Sequence, residues 1–169
     1  MNKRIEENFN KQINEELYSA YLYQSIRAYF ESIGLSGFAN WMKVQSEEEM
    51  FHAEKFFSHL VQRGGRIHLT AIKEPSFQWN SPLEAFKASL EHEKHITSCI
   101  HNLAVVADEE KDYSSKTLLN WFVDEQVEEE DNVGKIVNEL EMIQNDGRGI
   151  LMLDRELQSR TFNPPSTEE

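Results

Sequence analysis

The sequence predicts an all-α protein, an up-down four-helix bundle with one long crossover between its second and third helices and a short fifth helix after the fourth. Three observations carry this. Gly (7) and Pro (4) are scarce in 169 residues and fall mostly between or after long uninterrupted stretches, which favours long helices over many short strands. Each long stretch repeats apolar residues at alternating three- and four-residue steps, the spacing of one helix face. The connections run short, long, short. Short links pair neighbouring helices antiparallel, and a long one can cross the bundle.

The first helix is expected over about Lys3–Ile33, with Gly34 as the left-handed residue that ends it. Ser36 is expected to cap a second helix that ends at Gly64-Gly65. Ser81-Pro82-Leu83-Glu84 combines a Ser N-cap, Pro in the first turn and Glu at the capping-box position, so a third helix starts at 82 and runs to about 110. The fourth covers about 114–145, before Asp146-Gly147, and a fifth covers about 149–159 with Ile150, Leu153 and Leu157. The tail Asn163-Pro164-Pro165-Ser166 is expected to be loose. The whole of 1–169 reads as one domain. A helix of about 28 residues is about 42 Å long. The linker 65–80 reaches roughly 53 Å when extended. It can therefore return the chain to the end where the second helix began.

Composition narrows the function. The formal net charge is −13, which repels nucleic acid and anionic membranes and attracts cations, or simply keeps the protein soluble. No apolar stretch is long enough to span a membrane, and the first residues lack the apolar run of a signal peptide. One cysteine, Cys99, makes neither an intrachain disulfide nor a four-cysteine metal site, and suggests a reducing, cytoplasmic setting.

The apolar seam of each long helix is interrupted by a carboxylate near its midpoint. The first reads Phe9, Ile13, Glu16, Ala20, Tyr23, Arg27, Phe30 and the second Phe38, Met42, Gln45, Glu49, His52, Phe56, Leu60. The third reads Leu83, Phe86, Leu90, Glu93, Thr97, Ile100, Ala104, Ala107, and the fourth Leu119, Phe122, Gln126, Glu129, Val133, Ile136, Leu140, Ile143. Glu16, Glu49, Glu93 and Glu129 each fall near a helix midpoint, and antiparallel midpoints lie at one level. His52 is one turn from Glu49 on the same face. Any one of these could be a solvated Glu in a slightly misphased helix. Coincidence on four helices is a much weaker explanation.

Burying one carboxylate costs several kcal/mol, so four in a layer must be protonated or neutralised by cations. Oxygen ligands with one imidazole suit iron or manganese. Glu48, Glu125 and Glu128 sit one step round the helices and could hold a third ion, whereas Glu130 and Asp131 read as a solvated face. Tyr23, seven residues after Glu16, either hydrogen-bonds a ligand or passes an electron, or else packs with a satisfied hydroxyl. Trp121 reads as packing. His59, His68, His92, His95 and His101 lack metal spacing and read as surface residues.

The strings Asn14-Glu15-Glu16-Leu17-Tyr18-Ser19-Ala20-Tyr21-Leu22-Tyr23, Glu47-Glu48-Glu49-Met50-Phe51-His52, His92-Glu93 and Glu125-Gln126-Val127-Glu128-Glu129 resemble those of bacterial-type non-haem ferritins over nearly the whole chain. The resemblance implies a ferritin-like fold and a ferroxidase centre. In it Glu16, Glu49 and His52 form a first iron site, Glu93 and Glu129 complete a second with Glu49 bridging, and Gln126 lies close to the second iron. It also implies a third iron at Glu48, Glu125, Glu128 and Glu129, and places Tyr23 beside the centre. It further implies Fe(II) oxidation by dioxygen or peroxide and ferric mineral storage in an octahedral 24-subunit cage. The fourth helix carries Gln126-x-x-Glu129 instead of a second Glu-x-x-His, which separates the chain from haem-containing relatives, so no haem is expected. A shell of Phe56, Leu90, Phe122 and Val133 should limit water.

Two other classes compete with this reading. Di-iron oxygenases usually carry Glu-x-x-His twice, and iron–sulfur-equipped peroxidases need more cysteines than one. A metal-free bundle that only binds a partner would tolerate loss of Glu49 or Glu129.

Overall fold

The computed structural model describes residues 1–164, so Pro165 and Ser166 of the tail lie outside the described residues, while Asn163 and Pro164 are exposed and outside any helix. The chain forms α1 (Lys3–Ser32), α2 (Ser36–Gln62), α3 (Pro82–Glu109), α4 (Tyr113–Ile143) and α5 (Gly147–Leu157), and no strand occurs among the described residues. The four long helices and the long link between α2 and α3 give the one-crossover bundle that the spacing predicts.

Local chemistry sets the boundaries. Gly34, at φ +76°, turns the chain after α1, and Leu35 N–H returns to Phe30 O at 3.0 Å, closing the orphan carbonyls of the last turn. Gly64, at φ +71°, does the same for α2, with Gly65 N–H donating to Leu60 O at 2.8 Å. Ser81 Oγ accepts from Glu84 N–H at 3.1 Å. The returning bond of the box goes to Asn80 N–H instead of Ser81, at 2.9 Å from Glu84 Oε2. Asp112 caps α4 and is clamped by Arg63 at 2.7 Å.

Ser36 is not the cap expected for α2. It is the first helical residue, after Leu35, which offers no side-chain bond. The free N–H groups of Gly37 and Phe38 donate instead to Asp154 Oδ1 of α5, at 2.8 and 3.0 Å. A carboxylate at a helix N-terminus meets both the orphan donors and the helix dipole. The cap comes from a residue 117 positions away, so local sequence could not reveal it. α5 itself is shifted two residues towards the N-terminus of the expected range, because Asp146 caps it.

The linker 63–81 crosses the bundle along α1. His68 N–H donates to Asn10 Oδ1 at 2.6 Å, Asn14 reaches Thr70 O at 3.3 Å and Ser25 reaches Ser76 O at 2.6 Å. Contacts thus climb α1 from residue 10 to residue 25 as the linker advances, about 22 Å at ~1.5 Å per residue.

The core is divided in two. One apolar cluster includes Tyr23, Phe30, Phe38, Met42, Phe86, Val133 and Leu140. The other includes Ile5, Phe9, Phe56, Leu60, Ile100, Leu119 and Phe122, with Phe56 and Phe122 stacked 4.2 Å apart. The seams hold with local corrections. On α1, Ile26 is buried where Arg27 was expected, and on α3, Ser89, Ile96 and Leu103 are buried while Leu90, Thr97 and Ala104 are half-buried. A one-residue turn of 100° separates these alternatives, and the long polar side chain of Arg27 lies better at the edge.

Candidate metal centre

Between the two apolar clusters lies a polar layer. Glu16, Glu49, His52, Glu93, Gln126 and Glu129 are all buried, none more than 3% exposed. Each comes from the middle of its helix, as the broken seams require.

The first grouping joins Glu16, Glu49 and His52, which offer ligand atoms within 4.8 Å of one another. His52 Nδ1 lies 3.3 Å from Glu49 Oε2. Gln12 donates to Glu16 Oε1 at 2.9 Å. The other oxygens, Glu16 Oε2 and Glu49 Oε1, are buried with no hydrogen-bond partner. Orphaned carboxylate oxygens are rare because each costs a desolvation penalty. Pointing into a shared site, they fit a cation.

The second grouping joins His52, Glu125 and Glu129 within 4.8 Å. Gln45 Nε2 donates to Glu129 Oε2 at 2.5 Å, and His52 Nε2 lies 3.5 Å from Glu125 Oε1. Glu93 stands outside both groupings. The Tyr23 hydroxyl donates to its Oε1, and Gln126 Nε2 reaches its Oε2 at 3.4 Å and its backbone O at 3.2 Å. Tyr23 is therefore buried with its hydroxyl satisfied by a carboxylate of the layer. Glu48 is paired with Arg160 at 2.5 Å. Glu128 is exposed and belongs to neither grouping. The Trp121 and His52 rings pack edge to face with centroids 5.6 Å apart.

Electrostatics mark the layer as one that needs positive charge. Burial, then repulsion from Glu49, raises Glu16 to about 8, and the same two causes raise Glu129 to about 8. Burial with Glu49 and Glu129 pushes Glu93 well above the carboxylate range. Burial alone would lower His52, but hydrogen bonds to Glu125 and Glu49 raise it well above the usual imidazole value. The layer therefore favours protons or cations that offset its negative charge. Its oxygen donors and single imidazole match iron or manganese, and no thiol is among them.

Several neighbours were not legible beforehand. Gln12 lies one turn before Glu16, and Arg160 comes from the segment after α5 with no periodic signal. Among the histidines, His68 and His101 are exposed as expected. His92 is not a surface residue. It is half-buried, 5.5 Å from the Tyr18 ring and 2.7 Å from Ser19 Oγ. His59 is also half-buried, against Phe9 and near Arg63 and Ser115. His95 is exposed, but it shares a grouping of metal spacing with Glu15 and Cys99, which a search along one helix misses because Glu15 belongs to another.

A carboxylate from each of four helices, with Glu-x-x-His on one, inside a one-crossover bundle defines the class of ferritin-like carboxylate metalloproteins. A family model described as a Ferritin-like domain matches residues 6–143. The bacterial non-heme ferritins of Staphylococcus aureus and Staphylococcus epidermidis are each 36% identical over 163 residues, covering 96% of this chain and 98% of the relative. A structure described as a novel open pore ferritin from Archaeoglobus fulgidus is 48% identical, with TM-score 0.94 over 95% of this chain and 99% of that one. Another, described as a humanized archaeal ferritin, is 49% identical with TM-score 0.96 over 97% and 99%. The chain belongs to the ferritin family.

Proposed function

We propose that the protein, acting as one domain over 1–169, stores iron and oxidises Fe(II) to Fe(III) at the buried layer. The pair of orphaned, buried oxygens on Glu16 and Glu49 carries this reading. Glu16, Glu49 and His52 hold one Fe(II). Glu93 and Glu129 hold a second, with Glu49 shared and Gln126 beside it. With dioxygen, two Fe(II) give one electron each and two protons complete hydrogen peroxide. With peroxide as oxidant, two Fe(II) and two protons yield two waters. The carboxylates favour the ferric product because their negative charge stabilises the higher charge. Tyr23 positions Glu93 through its hydroxyl, and Phe56, Phe122 and Val133 keep bulk water out. Glu48, Glu125, Glu128 and Glu129 are the residues for a third iron.

Assembly into a 24-subunit cage in the cytoplasm completes the reading. Met142, Leu151 and Met152 are 77%, 52% and 72% exposed at the α4–α5 end, an apolar surface suited to a second copy of the chain. The likeness to a ferritin described as open-pored makes closed or open packing a question for electron microscopy. No haem belongs to this reading, and a Soret band in the purified protein would contradict it.

The deciding experiment adds Fe(II) aerobically to the wild type and to a Glu49→Ala, His52→Ala double variant, following ferric absorbance and soluble iron per chain. The expected result is fast oxidation in the wild type alone, with many ferric ions kept soluble. Fast oxidation with only a pair retained would make the protein an oxidase without storage. Equal slow rates would remove the centre.

A further inference from the structure

The two helices that present Glu16 and Glu93 to the core also bring ligand-type side chains together on their solvent-facing side. Glu15 of α1 and His95 and Cys99 of α3 each offer one ligand atom, all within 4.8 Å of one another. His95 Nε2 lies 3.0 Å from Glu15 Oε2 and 3.6 Å from Cys99 Sγ. A tetrahedral zinc ion, with Zn–N and Zn–O near 2.05 Å and Zn–S near 2.3 Å, sets its N and S ligands about 3.5 Å apart and its N and O ligands about 3.4 Å apart. The separations in the protein fall within about 0.4 Å of those edges.

The framework is already in place. His95 and Cys99 stand four residues apart, so they share one face of α3. Glu15 approaches from a different helix. His92, one turn before His95, lies 6.1 Å from its ring at a 34° tilt and is itself held by Ser19 Oγ at 2.7 Å. His95 is thus supported from the interior side. Exposure of the His95 ring leaves a fourth position open to water.

We propose that Glu15, His95 and Cys99 form a mononuclear site for a thiophilic divalent cation of the zinc class, separate from the carboxylate layer. A thiolate with an imidazole selects zinc-like ions over calcium or magnesium, whereas the sulfur-free layer favours harder iron. Without a cation the thiol stays protonated, because burial, with Glu15 and Glu16 nearby, pushes it up to about 11. As the metal–sulfur bond forms, the thiol proton passes to solvent. The bound ion ties α1 to α3 beside the turns that carry Glu16 and Glu93, and it covers the chain's single thiol.

The test is a Co(II) titration of the full-length, iron-free assembly without oxygen, following the near-ultraviolet sulfur-to-cobalt charge-transfer band. The chain has one cysteine, so this band reports Cys99 alone, and the core layer cannot produce it. The band should reach a plateau whose intensity corresponds to one thiolate-bound Co(II) per chain, and excess Zn(II) should bleach it. His95→Ala and Glu15→Gln should each shift the midpoint by about tenfold or more, while the Glu49→Ala, His52→Ala variant keeps it, which separates this site from the proposed ferroxidase centre. No band in the wild type overturns the site. A band with the same midpoint in His95→Ala and Glu15→Gln also overturns it, since that describes a bare thiol.

Discussion

Arg160 places Nη2 2.5 Å from Glu48 Oε2, so the acidic group proposed for a third iron already holds a positive charge. The same guanidinium donates to Gln45 Oε1 at 2.9 Å and lies 4.3 Å over the Trp41 ring. Gln45 in turn donates to Glu129. A cation fixed on this chain of contacts competes with a mobile one.

Replacing Arg160 should therefore admit metal. In Arg160→Ala, anaerobic calorimetric titration with Fe(II), compared with the same variant carrying Glu48→Gln, should show a Glu48-dependent ion bound about tenfold more tightly than in the wild type, ~1.4 kcal/mol. Arg160→Lys keeps the charge but loses the planar fork, and should fall between the two. An unchanged third affinity in Arg160→Ala would mean that the guanidinium moves aside freely.

The iron-free protein should lose stability as pH rises. Glu16 and Glu129 titrate near 4.5 when unfolded and are raised to about 8 in the fold. The folded state therefore binds more protons between these values. Its advantage is complete below about 4.5 and is lost as pH climbs through about 8. Melting temperatures of the apo protein should fall across that window, the slope should flatten in Glu16→Gln, and saturating divalent metal should remove most of the fall. A flat apo profile would mean that the layer is already solvated.

The contact between α2 and α5 tolerates no side chain at Gly37. A Cβ there would meet the Asp154 carbonyl oxygen at 1.5 Å. Gly37→Ala should cost about 1–3 kcal/mol in denaturant unfolding. Asp154→Ala should cost ~1 kcal/mol through loss of the cap. Because the clash is with backbone, adding Asp154→Ala to Gly37→Ala should give no rescue. A rescue would place the steric conflict on the Asp154 side chain instead.

The sequence alone located the four long helices and the central layer, because a charged residue in an apolar stripe is conspicuous at 3.6-residue periodicity. Glu16, Glu49, His52, Glu93 and Glu129 were legible for that reason. What escaped depends on chain segments far apart. Asp154 caps α2 from α5, Arg160 reaches Glu48 from beyond α5, and Glu15 completes a grouping begun by His95 and Cys99. None of these has a period, since each pairs residues whose separation is set by the crossover and the turns. Burial of His92 was missed for a related reason. It lies one position from Glu93, on the border of the seam, and the approach of Tyr18, Ser19 and Tyr23 from α1 covers it.

The polar layer separates two apolar half-cores, and that division has a mechanical meaning. Packing is weakest in cohesion where the charged groups meet, at the waist of the bundle. Under the proposed assignment, ions seated there would join residues from all four helices and brace the halves against each other. Loading and stiffening then proceed together. By this argument the ion-free bundle yields most at its polar waist, between the two apolar half-cores.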